Sequence, residues 1–379
     1  MMKLLGIGLL GFVLLILQKR IYERLWLKAL NVQISFGQSH IFQGEKGELK
    51  EIIENKKRLP LSMLKVKFRT DRHLLFGNEK GSRTTDQYYR NDIFRIGGGE
   101  RVTRTLQFEA GRRGYYTIEE INLVASDLFF LSQMVADKSV KTTLYVYPKP
   151  WNCVRLQQSL IQLSGEMLSR KHLMEDPFEY RGIREYQPYD DMRSINWKAT
   201  ARTGDLKVNQ KNYTLLQTIR IFFNLEDTGI LKKTEAVEAS IRIVAGLASF
   251  FLNQGIRVSC CGNGRDILHG EPVRIEAGAG AGQMQQIYRA LARIDANSET
   301  ADFIECFEQT LFSGDSGTMT LFVSPNAYDG FVELISHYRQ KGRECLWFYP
   351  IPETESEKPE LPAEWKGHSR ILRIPAANS

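Results

Sequence analysis

The apolar residues of this chain change their period once, near residue 215, and that change limits what it can fold into. From 31 to 148 they alternate with polar residues in short runs: Val32-Gln33-Ile34-Ser35-Phe36, then Leu49 to Glu54, then Met63 to Phe68. A strand points successive side chains to opposite faces, so each run builds one apolar face. Turn residues at Asn55 to Pro60 and at Gly97-Gly98-Gly99 separate the runs. Gly111-Arg112-Arg113-Gly114 reads as a hairpin joining Thr103–Glu109 to Tyr115–Val124, and Thr142–Tyr147 closes the set. Regular short strands without a helical period predict an immunoglobulin-like β-sandwich over 31–150. The polar, irregular stretch 71–96 reads as a long loop.

Beyond 215, strands and helices take turns. The strands are Ile219–Leu225, Arg257–Gly262, Thr318–Ser324, Cys345–Tyr349 and Arg370–Ile374. The helices between them are Glu235–Leu252, Gln283–Ile294, Ala301–Phe312 and Tyr328–Gln340, and an acidic linker from Pro352 to Pro362 precedes the last strand. This order predicts an open α/β sheet with helices on both faces over 216–379. A chain of 379 residues is long enough for two such cores.

The N-terminus carries an unbroken apolar run, Leu4 to Leu17, ending at Gln18-Lys19-Arg20. Charges rather than small residues follow it, which argues against a cleaved signal peptide. Fourteen residues at 1.5 Å each reach about 21 Å, short of a hydrocarbon core of about 30 Å, and Met1, Met2 and a snorkelling Lys3 lengthen the run. It is therefore read as a single-pass anchor in the cell membrane. Lys19, Arg20, Arg24 and Lys28 keep the bulk of the chain cytoplasmic. Ile21–Leu30, with Trp26 and Leu27, reads as a segment lying along the interface, so that 1–30 forms one anchoring unit.

The net charge of +7 is spread along the chain without a nucleic-acid-binding module. Five cysteines without a CxxC pair and six scattered histidines give no metal or redox motif. Cys260 and Cys261 would point to opposite faces of one strand. Gly278-Ala279-Gly280-Ala281-Gly282 opens a helix, but a phosphate-binding GxGxxG would need glycine where Gln283 stands, so it reads as a flexible helix entry. Gly314-Asp315-Ser316-Gly317 echoes a serine-protease loop, yet it lies between a helix and a strand and reads as a turn.

The residues with most to say lie between the two domains, in 151–215. From Asp176 to Gln210, arginines (Arg181, Arg184, Arg193, Arg202), carboxylates (Glu179, Glu185, Asp190, Asp191, Asp205) and rings (Phe178, Tyr180, Tyr186, Tyr189, Trp197) alternate. A core would not tolerate so many ions unless they paired, and a solvated charge run would not need five rings. The segment is either a half-buried ionic network or a surface that grips a partner. Flanking arginines favour ion pairs over proton transfer at the carboxylates, so no catalytic residue is assigned. The alternative is a hydrolase using Glu185 or Asp190.

Within it, REYQPYDDMRSINWKATARTGDLKV resembles the signature of the domain of unknown function 58 (DUF58) family. Arg184, Glu185, Tyr186, Pro188, Asp190, Asp191, Arg193, Ile195, Trp197, Lys198, Ala199, Thr200, Ala201 and Arg202 fall on the pattern, and Tyr189 replaces its usual glycine. The stretches 112–131 and 146–150 also resemble the family. The resemblance implies a β-sandwich followed by a von Willebrand factor A-like α/β domain, and a MoxR-type AAA+ ATPase as partner in assembling or maturing a client protein. It implies a non-enzymatic adaptor in which Arg184, Asp191, Trp197 and Arg202 fix a domain interface or dock the ATPase. Family members often carry two membrane helices where this chain shows one. Where a metal-binding von Willebrand A domain has Asp-x-Ser-x-Ser and Thr-Asp-Gly, this chain has Asn224-Leu225-Glu226-Asp227-Thr228 and Ser324-Pro325-Asn326. Most oxygen ligands of an octahedral Mg²⁺ are then missing, so no metal or cofactor is expected.

Overall fold

Burial along Lys46–Asn55 alternates residue by residue, as a strand with one face on a core requires. The computed structural model describes residues 2–77, 82–85, 87–151, 158, 160, 180–187, 192, 195–211, 218–226, 234–313, 318–353, 361–362, 365 and 367–375. Two units pack separately: Met1–Lys149 with Tyr288–Asp295, and Pro150–Ile287 with Ala296–Ala377.

The first unit opens with helix α1 (Met2–Leu25). Strands β1 (Leu30–Phe36), β2 (His40–Phe42), β3 (Lys46–Asn55), β4 (Leu61–Asp71), β5 (Leu74–Phe76) and β6 (Ser82–Thr84) follow. The unit continues with β7 (Gln87–Ile96), β8 (Arg101–Ala110), β9 (Gly114–Ser126) and β10 (Gln133–Tyr147). One sheet has the order β1-β3-β8-β5 and the other β2-β10-β9-β4-β7-β6. Val32, Leu49 and Ile53 of the first sheet share one apolar core with Leu64, Val66, Ile118 and Leu123 of the second, which makes the pair a sandwich. Hairpin β9–β10 is longer than Thr142–Tyr147 implied, because a register shift between Ser139 and Thr142 lets the strand continue to Gln133.

The loop expected over 71–96 is instead mostly strand. In β7 every second residue is buried, but two of those inward positions are Arg90 and Asp92. Asp92 accepts from Arg90 Nε at 2.5 Å and from Arg104 of β8 at 2.8 Å, so one carboxylate ties the two sheets together. Glu51 lies opposite Arg104 in the register and is fully buried beside this cluster. Burial, and then the Asp92 charge, push its carboxyl up to about 8.

The segment after the apolar run also departs from expectation. Tyr22 and Trp26 are not interfacial: both are buried in the sandwich core, and Tyr22 donates its hydroxyl to the Pro60 carbonyl at 3.0 Å. Burial first, and the nearby Asp127 charge second, raise the Tyr22 hydroxyl above its ordinary range. The side chains of Ile7, Leu9, Leu10, Phe12, Val13 and Leu17 are exposed. The spanning anchor read from residues 4–17 is not found: among the described residues no helix is long and apolar enough to cross a membrane.

The rest of the chain carries β11 (Tyr180–Glu185), α2 (Trp197–Thr203), β12 (Lys207–Lys211), β13 (Thr218–Phe223), α3 (Thr234–Asn253) and β14 (Arg257–Arg265). Then come β15 (Pro272–Gly278), α4 (Gly280–Ala292), α5 (Phe303–Phe312), β16 (Thr318–Val323), α6 (Asp329–Gln340), β17 (Cys345–Pro352) and β18 (Ser369–Ile374). The sheet order is β15-β14-β13-β16-β17-β18, parallel except for the antiparallel edge strand β15. On β13, Phe222 joins an aromatic layer with Phe303, Phe307, Phe322, Phe331 and Trp347. Its neighbour Phe223 lies so close to Gly262 that a Cβ there would fall 2.0 Å from the ring, so β14 needs glycine at that position. Arg220, also on β13, is buried and donates to the carbonyls of Thr310 and Leu311 at the end of α5. A cation placed there complements the helix dipole.

The Glu51 cluster makes a testable prediction. A carboxyl that holds its proton more tightly folded than unfolded stabilises the fold at low pH and loses that contribution as pH rises. The loss falls between about 4.5 and about 8, the ordinary and the folded values for this group. Thermal melts should show the protein losing stability on the order of 5 kcal/mol across that window. Glu51→Gln, which cannot ionise, should flatten the dependence.

Candidate functional site

The signature folds as a two-stranded antiparallel ribbon with a short helix inserted between its strands. Arg184 pairs with Val208 and Glu185 with Lys207 in the register. Tyr186 N–H donates to the Leu206 carbonyl at 2.9 Å, and Asn196 N–H to the Lys207 carbonyl at 2.8 Å. The α2 helix begins there because Asn196 Oδ1 accepts from Ala199 N–H at 3.0 Å. It ends at Gly204, whose φ of 82° is the left-handed conformation that glycine adopts without strain, and whose N–H returns to the Thr200 carbonyl. The Thr200 hydroxyl accepts from Lys207 N–H at 3.0 Å and so locks the helix to β12.

This scaffold leaves its large side chains outside. No residue of α2 is buried, and Trp197 is 66 % exposed. Met192 at 70 %, with Ile183 and Leu206, is exposed too. Among the described residues only Ile195 and Val208 of the ribbon are buried. Glu185 pairs with Lys207 Nζ at 3.1 Å with its carboxylate largely in solvent, and Arg184 donates to the Glu185 carbonyl at 3.0 Å. Lys198 and Arg202 are exposed. Asp190, Asp191 and Arg193, together with Pro188 and Tyr189, lie outside the described residues. The structure thus brings Arg184, Glu185, Tyr186, Trp197, Lys198 and Arg202 onto one ribbon. Its described part is a surface of apolar, basic and acidic side chains.

A second constellation lies at the carboxyl ends of β13 and β16, where the strand order reverses; the sequence reading named its 224–228 and 324–326 stretches but missed Asn263 and Tyr328. Open α/β sheets place ligands at such a point. Here the polar groups satisfy one another. The buried Asn263 amide donates to Asn224 Oδ1 at 2.8 Å and to the Ala301 carbonyl at 3.0 Å, while its oxygen accepts from Leu225 N–H at 2.8 Å. Glu226 Oε1 accepts from Phe303 N–H at 2.7 Å, so the first turn of α5 is capped by a carboxylate of the same chain. Asn326 donates its amide to the Glu226 carbonyl, and Ser324 Oγ donates to the Asn326 carbonyl at 2.9 Å. Burial, then the Glu226 carboxylate, hold the Tyr328 hydroxyl far above its usual range. Asp227 and Thr228 lie outside the described residues.

Other candidate chemistry is structural. Gln283 donates to the carbonyls of Val258 and Glu276 at 2.9 and 2.7 Å, filling the place a phosphate loop would keep open. A Cβ on Gly278 would lie 2.4 Å from that amide, which accounts for the glycine. Burial pushes the thiols of Cys261 and Cys345 up to about 11 and about 12 and holds that of Cys260 well above its ordinary range, so none of the three is an activated nucleophile. Gly314-Asp315-Ser316-Gly317 lies outside the described residues.

The family model described as "Protein of unknown function DUF58" matches residues 182–323, from β11 to the end of β16. This supports the resemblance carried by the signature. No curated protein matches the chain. Similar solved structures include a non-cellulosomal cohesin from the archaeon Archaeoglobus fulgidus, 13 % identical, covering 31 % of this chain and 91 % of that one with a TM-score of 0.20. A type II cohesin domain from the cellulosome of Acetivibrio cellulolyticus is 9 % identical, with coverages of 31 % and 95 % and a TM-score of 0.25. A PapD-like domain of human CEP192 is 12 % identical, with coverages of 32 % and 86 % and a TM-score of 0.21.

Two substitutions separate scaffold from surface. Asn263→Ala strands Leu225 N–H and the Ala301 carbonyl in the interior, leaves Asn224 Oδ1 only the Glu226 N–H, and should cost about 2–3 kcal/mol in denaturant melts. Trp197→Ala removes a ring already in solvent and should change stability by less than about 0.5 kcal/mol.

Proposed function

We propose that this chain is a non-enzymatic adaptor held at a membrane, and that its signature ribbon docks a MoxR-type AAA+ ATPase that acts with it on a client protein. The observation that carries the reading is Trp197. A large indole kept in solvent, on a helix whose caps and strand contacts are all satisfied, contributes nothing to the fold that a smaller residue could not. Exposed tryptophan and arginine are favoured anchors of protein interfaces, and Trp197 has Lys198 and Arg202 on the same short helix. A solitary apolar side chain on a surface needs no explanation, but Ile183, Met192 and Leu206 accompany this one.

Three further features support the reading. The sheet order, numbered from its own first strand, is 3-2-1-4-5-6 with an antiparallel edge, which suits a von Willebrand A-like domain. The crevice at its switch point is closed by asparagine amides and a self-capping carboxylate, which suits a domain used for contact rather than chemistry. The exposed apolar side chains of α1 suit insertion into a bilayer without crossing it. Lys19, Arg20, Arg24 and Lys28 then lie beside anionic headgroups.

The test is capture of a purified MoxR-type ATPase by the full chain in lipid nanodiscs. Trp197→Ala and Arg202→Ala should each weaken capture by about tenfold or more, the effect expected of interface anchors, with unchanged melting temperatures. Undiminished capture in both variants, with a lowered melting temperature for Arg202→Ala, would reassign the ribbon to holding the fold.

A further inference from the structure

Four consecutive apolar residues, Leu128, Phe129, Phe130 and Leu131, form the turn between β9 and β10, and they are 46, 55, 59 and 62 % exposed. The turn is built rather than loose. Asp127 is fully buried at its base, and its Oδ1 accepts from Ser132 N–H at 3.0 Å. The backbone closes across it, with Asp127 N–H on the Ser132 carbonyl and Phe130 N–H on the Asp127 carbonyl. Phe130 holds a φ of 60°, a conformation that a bulky residue rarely adopts, so the closed turn imposes it. A fold that spends a buried carboxylate and a strained phenylalanine on displaying four apolar side chains to solvent is displaying them to something.

The other oxygen of Asp127 says what. Oδ2 accepts from Gln18 Nε2 of α1 at 2.5 Å. Gln18 is the first polar residue after the apolar run, next to Leu17 on one side and Lys19-Arg20 on the other. The base of the turn is therefore fastened to the helix at the level where its side chains change from apolar to charged. If the exposed residues Ile7 to Leu17 sit among acyl chains, Gln18 lies at the headgroup boundary, and the turn lies there with it. Tyr22 and Trp26 hold the same helix in the sandwich core, so helix and turn move as one body within this unit.

We infer that Leu128–Leu131 is a second membrane contact, a wedge that inserts into the interface beside α1 and fixes the tilt of the sandwich on the bilayer. The occupant is lipid: phenylalanine and leucine partition into the headgroup–acyl boundary, and the basic residues Lys19, Arg20 and Arg24 follow Gln18 on the helix, with Lys28 just beyond its end. A single apolar helix leaves an attached domain free to swing, whereas a second contact point anchors its orientation. The inference rests on the proposal that α1 meets a membrane, and its test separates the two.

The full chain, bound to phosphatidylcholine–phosphatidylglycerol vesicles, carries an environment-sensitive fluorophore on one introduced cysteine at a time. The variants are Leu10→Cys in the helix, Phe129→Cys in the turn and Lys141→Cys on β10, about 26 Å along the strand from the turn at ~3.3 Å per residue. Signal from the native cysteines is subtracted using the parent chain. Nitroxide lipids quench from the acyl chains or from the headgroup, and iodide quenches from water. Leu10→Cys should be quenched from the chains, and Phe129→Cys from the headgroup region at least about threefold more than Lys141→Cys, as an interfacial contact requires. Quenching at Leu10 with Phe129 no different from Lys141 overturns the wedge and leaves the anchor standing. No quenching at Leu10 overturns the anchor, and quenching at Phe129 would then support the turn as a contact in its own right. Shielding of Phe129 from iodide without lipid quenching means that protein covers the turn, and the inference fails.

Discussion

Burial of Tyr22 and Trp26 in the sandwich core is the contact on which the rest of this reading depends. A helix whose first half is apolar and exposed could have been a tether of any length and direction. Because two of its later side chains belong to the same core as both sheets, its axis is fixed to the sandwich, and so is the level at which its apolar residues end. Everything attached to that sandwich inherits the geometry. The Gln18–Asp127 hydrogen bond is one example, since it gains positional meaning only because the helix cannot swivel.

The α/β domain shows a complementary economy. Its most reactive-looking position, the crevice at the ends of β13 and β16, is closed by groups that satisfy each other: asparagine amides, a serine hydroxyl and a glutamate turned onto a helix terminus. The thiols of Cys260, Cys261 and Cys345 are held protonated by burial. What the described residues offer outward is different in kind, a ribbon carrying Trp197, Met192, Ile183 and Leu206 beside basic side chains.

The parts of this architecture that follow one rule were legible in the sequence. Period-two alternation located β1, β3, β4, β8 and β9, and the alternation of strand and helix located the parallel sheet. The failures have a common cause: side chains whose burial is made tolerable by partners far away in sequence. Arg90 and Asp92 occupy inward positions of β7 and broke its apolar pattern, so 71–96 read as loop; their pairing with each other and with Arg104, on another strand, makes them acceptable inside. Trp26 read as interfacial because tryptophan after an apolar run usually is, and nothing local announces a cavity in a distant sandwich. Asn263 carries no signature at all, since an asparagine gains its importance there from backbone and amide groups that only the fold assembles. The signature, by contrast, was visible as a motif but not as a surface. Its ions and rings were equally consistent with an interior network, and only the fold shows that no side chain of α2 is buried.

The sandwich has a further property that bears on how such a chain survives in solution. Among the described residues, three of its four sheet edges are formed by strands of three residues, β2, β5 and β6. A short edge offers few free amide and carbonyl groups in register, so another copy finds little to zip onto. For a protein that displays an apolar helix and an apolar turn, this matters more than usual. Hydrophobic surface brings copies together, and long open edges would convert such encounters into cross-β stacking. Truncated edges let the molecule carry greasy surface while keeping chance association reversible.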